Sequence, residues 1–290
     1  VCGATRWFDG FFGDRQRYDS TVRESYGRVG LGAFYDQSNG LDIDYRFRGS
    51  FALPAARERL ENWQGKLKLG RGTDRELIED RAIDEGDTLP GRFDEVEDAN
   101  WLLGVGFRRG QQLNRGFDVD LGIRFRVPPD PYAKLRFFRN WDFNEDTLVR
   151  FRQIGFWTYE RGFGTTSQVD LDKLLSTNLL ARWSNSGTVA EDRDGLDWSS
   201  TISFFQGLSN RRAFNYRLFI RGETGRRASL QNFGVDIGYR RRILREWLFV
   251  EVRASATFPQ FSLAEERELN LGAGLFFDMY FGPVPEDQLR

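Results

Sequence analysis

Phe117-Asp118-Val119-Asp120-Leu121-Gly122-Ile123-Arg124-Phe125-Arg126-Val127 decides the fold of this chain. Every odd position is apolar and every even one charged, Gly122 alone excepted. An α-helix would scatter these apolar side chains round its whole circumference, whereas a strand, with its repeat of two, puts them all on one face. Leu41-Asp42-Ile43-Asp44-Tyr45-Arg46-Phe47-Arg48 obeys the same rule. Both stretches read as strands with one face made for an apolar medium and the other for charge.

Working outward, the same period runs through Tyr26 to Tyr35, Trp101 to Phe107, Val149 to Tyr159 and Trp198 to Phe204. It continues in Phe214-Tyr216-Leu218-Ile220 and Phe233-Val235-Ile237-Tyr239, each written here without its intervening residues. Leu248 to Phe258 and Leu269 to Phe281 close the series. Leu60 to Leu69, Tyr132 to Phe137, Gln168 to Leu171 and Thr177 to Trp183 add weaker strands. The total is roughly 12 to 14 strands of about ten residues, the length that crosses a bilayer when tilted. Gln37-Ser38-Asn39-Gly40, Pro128-Pro129-Asp130-Pro131 and Asp142-Phe143-Asn144-Glu145-Asp146 have turn compositions, which suits antiparallel neighbours. No gap reads as a crossover helix, so a parallel sheet is not expected. Arg71 to Asn100 reads as one long acidic loop, with Thr188 to Gly195 and Gly222 to Gln231 as shorter ones.

Composition excludes several function classes. The 290 residues carry 42 Lys+Arg against 43 Asp+Glu, so a nucleic-acid binder working by bulk positive charge is not expected. With no His and a single Cys, neither a Ser-His-Asp or Cys-His catalytic unit nor a His- or Cys-rich metal site can be assembled. No apolar run reaches the length of a membrane helix. Aromatics at 15% beside charged residues at 29% fit strands that face lipid on one side and water on the other. The rival is a soluble β-sandwich, but its core would dilute such aromatic bulk with interdigitating aliphatics. The expectation is therefore an all-β chain, a closed antiparallel transmembrane β-barrel over residues 25–281. A periplasmic or lumenal segment, residues 1–24, precedes it, and a tail, residues 282–290, follows. Periplasmic termini on both sides imply an even strand count.

Tyr35, Trp101, Trp141, Trp157, Tyr159, Trp198, Trp247 and Tyr280 gather near strand ends, which resembles the interfacial girdles of outer-membrane barrels. Asn270-Leu271-Gly272-Ala273-Gly274-Leu275-Phe276-Phe277 and the run on to Phe281 resemble the last-strand signal read by the bacterial barrel-assembly machinery, except that Gly282 to Arg290 follow the terminal Phe. Over roughly Tyr26 to Phe281 the chain resembles the Gram-negative outer-membrane β-barrel class, porin-like in character. The stretch Arg240 to Glu251 is also similar to a group of proteobacterial barrel proteins without assigned activity. The resemblance implies location in the cell outer membrane, contact with its lipid and lipopolysaccharide, and insertion by the barrel-assembly machinery.

No catalytic site is expected. The phospholipase, palmitoyl-transferase, deacylase and omptin-type barrels resemble one another in using a catalytic His, which this chain lacks. Asp42/Asp44, Asp118/Asp120 and Asp170/Asp172 share strand faces and suit Ca²⁺ in principle, but pairing with Arg on a neighbouring strand is the favoured reading. No metal or other cofactor is expected. Gly104-Val105-Gly106 and Gly162-Phe163-Gly164 read as strand or turn glycines. The Arg240 to Arg245 run reads as a strand end at a turn, ahead of a contact with lipopolysaccharide phosphates.

The wet face is expected to line a lumen. It comprises Asp42, Asp44, Arg46, Arg48, Asp118, Asp120, Arg124, Arg126, Lys134, Arg136, Arg150, Arg152, Arg240, Arg242, Glu251 and Arg253. The leading function is a passive pore for small polar or ionic solutes. The alternative is a non-conducting structural barrel that anchors a periplasmic or surface partner. Trp7, Phe8, Phe11, Phe12 and Tyr18 lie in the N-terminal segment without alternation, which makes it a plug, a strap or a docking arm. Arg124→Ala is expected to change ion selectivity or conductance with little loss of barrel stability, as in a wide wet pore; a strongly destabilised barrel would instead favour a filled lumen.

Overall fold

In the computed structural model, residues 2–12, 25–53, 63–73, 77–79, 100–109, 114–260, 262 and 266–282 are described. A helix, α1 (Cys2–Phe12), precedes the strands β1 (Tyr26–Asp36), β2 (Gly40–Leu53), β3 (Trp63–Gly72), β4 (Asn100–Arg109), β5 (Arg115–Phe125), β6 (Asp130–Asn144) and β7 (Thr147–Thr158). β8 (Gly162–Ser176), β9 (Leu179–Ala190), β10 (Asp197–Ser209), β11 (Arg212–Glu223), β12 (Leu230–Arg242), β13 (Leu248–Thr257) and β14 (Asn270–Phe281) complete the chain. Each strand pairs antiparallel with its sequence neighbours, and β1 pairs with β14, Leu31 opposite Phe277, so the sheet is a closed barrel. Closure leaves no edge, the condition for placing a sheet in hydrocarbon.

The barrel is inside out relative to a soluble sandwich. On β5, Leu121, Ile123 and Phe125 are 48, 46 and 55% exposed, while Asp118, Asp120 and Arg124 on the opposite face are 4, 3 and 1% exposed. Apolar side chains therefore point to the surroundings and charges point inward, which only a lipid environment favours. Connection lengths set the orientation. Turns of two residues join β6 to β7, β8 to β9 and β10 to β11 at the end where β1 begins and β14 finishes. The opposite end carries the long β3–β4 connection. Short turns are periplasmic in outer-membrane barrels, so that end, with the first and last strand ends, is periplasmic.

The strands extend several turns read from sequence. The Asp142 to Asp146 stretch is not all turn: β6 runs on to Asn144, paired with Thr147, because Trp141 and Phe143 continue its outward stripe. Gln168 to Leu171 is the middle of β8, and Thr188 to Ala190 completes β9 rather than opening a loop. Tyr280 is not part of an interfacial girdle. It is 5% exposed on the inward face, its neighbour Phe281 being the outward one. The Arg240 run ends β12 at the periplasmic end, away from lipopolysaccharide.

Among the described residues, α1 and a helical position at Leu77 depart from an all-β chain. Trp7, Phe8, Phe11 and Phe12 recur at helical spacing and form one apolar stripe. Phe8, Phe11 and Phe12 pack on Leu180, Phe205, Ala213, Phe249 and Tyr280, residues near the periplasmic ends of their strands. Each buried Phe contributes roughly 1.5–3 kcal/mol, so the helix is seated inside the periplasmic mouth. Residues 13–24, most of the acidic loop and residues 283–290 lie outside the described residues.

Candidate functional site

The interior holds ion pairs built by strand register. Asp118 lies opposite Arg108 on β4 and Arg136 on β6. Both arginines reach it, Arg108 Nε at 2.5 Å, and Arg136 makes a second ion pair. Asp120 lies opposite Lys134 and takes Lys68 Nζ at 2.6 Å from β3, two strands away. Lys68 reaches that far because Gly106, facing Asp120 on the intervening strand, has no side chain; a Cβ there would stand 2.9 Å from Lys68 Cε.

A second chain of alternating charge crosses the closing seam. Arg240 on β12 lies opposite Glu251 on β13, pairs with it at 2.8 Å and reaches Asp278 on β14 at 2.7 Å. Asp278 also binds Arg28 of β1, with Nε at 3.0 Å, and Glu251 also binds Arg253 at 2.5 Å. Arg217 and Asp236, opposite each other on β11 and β12, pair at 2.6 Å. Arg217 and Arg240 are each 1% exposed.

Two segments that are not wall strands enter the interior. From the periplasmic end, Asp9 of α1 receives Arg182 Nη2 at 2.6 Å and Arg150 Nη1 at 3.1 Å. Asp172, paired with both arginines at 2.7 Å, completes the cluster. From the other end, Leu77 to Glu79 of the β3–β4 connection fold inward. Ile78 packs among Leu102, Tyr132, Ile154, Phe156 and Ala190. Glu79, 0% exposed, pairs with Arg193 at 2.5 Å and Arg161 at 3.3 Å. Lys134 Nζ donates to the Leu77 carbonyl at 2.9 Å.

The remaining residues singled out from sequence fall in three places. Asp42, Asp44, Arg46 and Arg48 occupy the less exposed face of β2, and Arg46 pairs with Asp44 at 2.5 Å. Arg152 and Arg242 are half-buried, Arg242 beside the Phe249 ring. Arg124, deeply buried, pairs with Asp130, whereas Arg126 lies past the end of β5 and pairs with Glu160 in the β7–β8 turn. Arg126 is thus at the rim. A different surface joins the charges on β9 and β10, where Ser184, Ser186, Thr188, Ser199, Thr201 and Ser203 all point inward. Asp9, Glu79, Lys68 and this hydroxyl wall were not among the residues expected to line the lumen; Glu79, read from sequence as part of a solvated acidic loop, is 0% exposed. The wall was legible in the alternation of Ser and Thr on both strands, whereas Asp9 and Glu79 belong to segments with no period. Among the described residues no cluster of His, Cys, Asp and Glu has the makings of a metal site.

No family model matches the sequence, and no curated protein matches it in sequence. Solved structures resemble it in fold. The outer membrane channel DcaP of Acinetobacter baumannii has a TM-score of 0.50 at 9% identity, covering 89% of this chain and 96% of that one. OmpT, an outer membrane protein of Vibrio cholerae, gives 0.46 at 11% identity, over 89% of this chain and 97% of its own. A KdgM porin gives 0.42 at 5% identity, over 88% and 99%. At such identities the likeness is one of fold. Closed topology and the outward apolar belt make this chain a membrane-spanning β-barrel, with a fold like that of the outer membrane channel DcaP.

Proposed function

We propose that this barrel is a channel for small polar or ionic solutes, shut when its N-terminal helix is seated and opened when the helix withdraws. The carrying observation is Asp9, 2% exposed and held by Arg150 and Arg182 inside the periplasmic mouth. The helix is no part of the wall, because β1 and β14 close the barrel without it. Arg150 and Arg182 both keep Asp172 when Asp9 leaves, so withdrawal strands neither arginine. In this reading the solute meets Arg136, Arg150, Arg240 and Arg253 alternating with Asp118, Asp120 and Glu251, then the hydroxyl wall. Signs that balance give little intrinsic ion preference. The activity is passage, with no reaction on the solute.

Planar-bilayer recording on the purified chain and on a variant lacking residues 2–12 tests this. Rare or brief conductance steps in the full chain, and sustained ones in the variant, support it. Silence from both would overturn it. That outcome favours the second reading, a non-conducting barrel anchoring a periplasmic partner, which the density of paired interior charges supports.

A further inference from the structure

Every charged side chain described on the outward face of the strands is a cation. Arg71 stands at the outer end, over the Tyr45 ring. Arg115, Arg139, Lys173, Arg212 and Arg241 stand in the periplasmic half of their strands. Register sets Arg212 of β11 directly opposite Arg241 of β12. The next outward pair on the same two strands is Phe214 and Tyr239, and the one after it Tyr216 and Ile237. The Phe214 ring lies 5.0 Å from that of Tyr239 and 5.7 Å from that of Tyr216. Two guanidinium groups at the rim are thus followed, toward the hydrocarbon, by a platform of three rings.

Like charges directly opposite on an antiparallel pair destabilise it. Neither Arg212 nor Arg241 makes an ion pair or ring contact with another described residue, whereas Arg139 lies 5.1 Å from the Trp141 ring centroid. The turns below add charge of the same sign. Arg242 N donates to the Arg211 carbonyl at 2.8 Å, which ties the β10–β11 turn to the end of β12, and Arg245 lies in the β12–β13 turn. Against Arg211, Arg212, Arg241 and Arg245, these two turns offer one carboxylate, that of Glu246. The β12–β13 turn is also apolar at its tip. Leu244 is 90% exposed at a φ of +52°, a conformation that Gly or Asn adopts at lower cost. Trp247, 41% exposed, stacks on Phe281. Exposed Leu and Trp beside arginines suit the headgroup layer of a membrane.

We infer that Arg212 and Arg241 bind the phosphate of an anionic phospholipid, of the phosphatidylglycerol or cardiolipin type, in the leaflet at the periplasmic end. A guanidinium matches a phosphate in geometry as well as charge, because two parallel N–H···O bonds form at once. Side chains directly opposite have Cβ atoms about 5 Å apart, so the two arginines close on one phosphate from both sides. Phe214, Tyr216 and Tyr239 then underlie the glycerol and the first acyl carbons, and Arg211 and Arg245 stand on the headgroup side. A free phosphate would use the arginines and leave the rings idle. A zwitterionic lipid would bring its own cation into a cluster of four. The site lies on the outside of the wall and is independent of whether the lumen conducts.

The test is native mass spectrometry of the full-length chain in mild detergent, with phosphatidylglycerol, cardiolipin, phosphatidylethanolamine or inorganic phosphate added. The expected result is a first lipid adduct with phosphatidylglycerol or cardiolipin that survives activation strong enough to strip phosphatidylethanolamine, and that excess inorganic phosphate does not displace. The double variant Arg212→Gln, Arg241→Gln is expected to lower the occupancy of that adduct several-fold. Arg227→Gln, in the β11–β12 connection at the outer end, is expected to leave it unchanged. Heat-modifiable gel mobility shows that each variant folds, and removing two opposed like charges does not endanger the sheet. No anionic-lipid adduct on the unmodified chain, equal occupancy in the double variant, equal retention of phosphatidylethanolamine, or displacement by inorganic phosphate would each overturn the inference.

Discussion

Asp9 Oδ1 accepts a hydrogen bond from Arg182 Nη2 at 2.6 Å although 173 positions separate the two residues. Strand order makes this possible: β9 lies on the wall where α1 seats, and Arg182 points inward near its periplasmic end. The helix supplies a carboxylate to a pair of arginines that already share Asp172. It is held both by ring packing, with Phe11 edge-on to Phe249 at 5.4 Å, and by charge.

Asp9→Ala removes the charge and keeps the rings. Arg150 and Arg182 keep Asp172, so the loss falls on the seated helix and not on the wall. The expected outcome is faster protease cleavage at the N-terminal segment and more frequent conductance steps, with unchanged heat-modifiable mobility. A large loss of barrel stability would mean that the helix is structural.

Glu79→Ala is expected to release the inner end of the β3–β4 connection, because Arg161 and Arg193 both lose the carboxylate that draws them inward. Ile78 stays apolar and keeps some hold on Tyr132 and Phe156. Conductance steps should grow in size more than in frequency, the reverse of the Asp9→Ala pattern. Single-channel recording separates the two.

The strands were legible because lipid outside and charge inside impose an alternation that survives at nearly every position of β5 and through Leu41 to Arg48 of β2, while β14 keeps its outward apolar stripe alone. Gly122 was the visible break in β5, and its cause is tertiary. Gly122 lies opposite Gly104 on β4 and Tyr132 on β6, and the Tyr132 ring covers both glycines, 4% exposed itself. Nothing local announces that ring. The N-terminal segment was legible as a plug, strap or arm, but its seat was not, and Leu77 to Glu79 were illegible as a lumenal piece, for a related reason: where each seats depends on residues contributed by strands far away in sequence. Tyr280 was misassigned because aromatic identity was weighed above parity.

Gly122→Val places a new Cβ against the Leu103 carbonyl oxygen and 2.7 Å from Gly104 Cα, both backbone atoms of β4, as well as 2.6 Å from Tyr132 Cε1. Overpacking of this kind costs typically 1–3 kcal/mol. Tyr132→Ala alone is expected to be destabilising through the void it leaves. The double variant is expected to recover only the share of the loss that the ring causes, since the backbone contacts of the new Cβ remain. Urea unfolding followed by Trp fluorescence reads all three, and strict additivity would show that the ring and the glycine do not meet.

Arg240 and Arg124 decide how wet the interior is. Both are 1% exposed. Arg240 stands between Glu251 and Asp278, its guanidinium 4.8 Å from the Phe249 ring centroid and 3.1 Å from the Tyr280 hydroxyl. Removing it leaves two buried carboxylates with one arginine each, Arg253 for Glu251 and Arg28 for Asp278. Arg240→Ala is therefore expected to cost about 3–5 kcal/mol. Arg124→Ala, which strips Asp130 of its buried partner, is expected to be costly as well, in contrast to the cheap selectivity shift that a wide wet pore would give. The pair Arg226–Glu223, whose arginine is 65% exposed although Glu223 is buried, sets the scale: Arg226→Ala should cost no more than about 1 kcal/mol. Urea midpoints in detergent for the three variants make the comparison. Equal, small shifts would mean that water reaches Arg240 and Arg124 as freely as the rim.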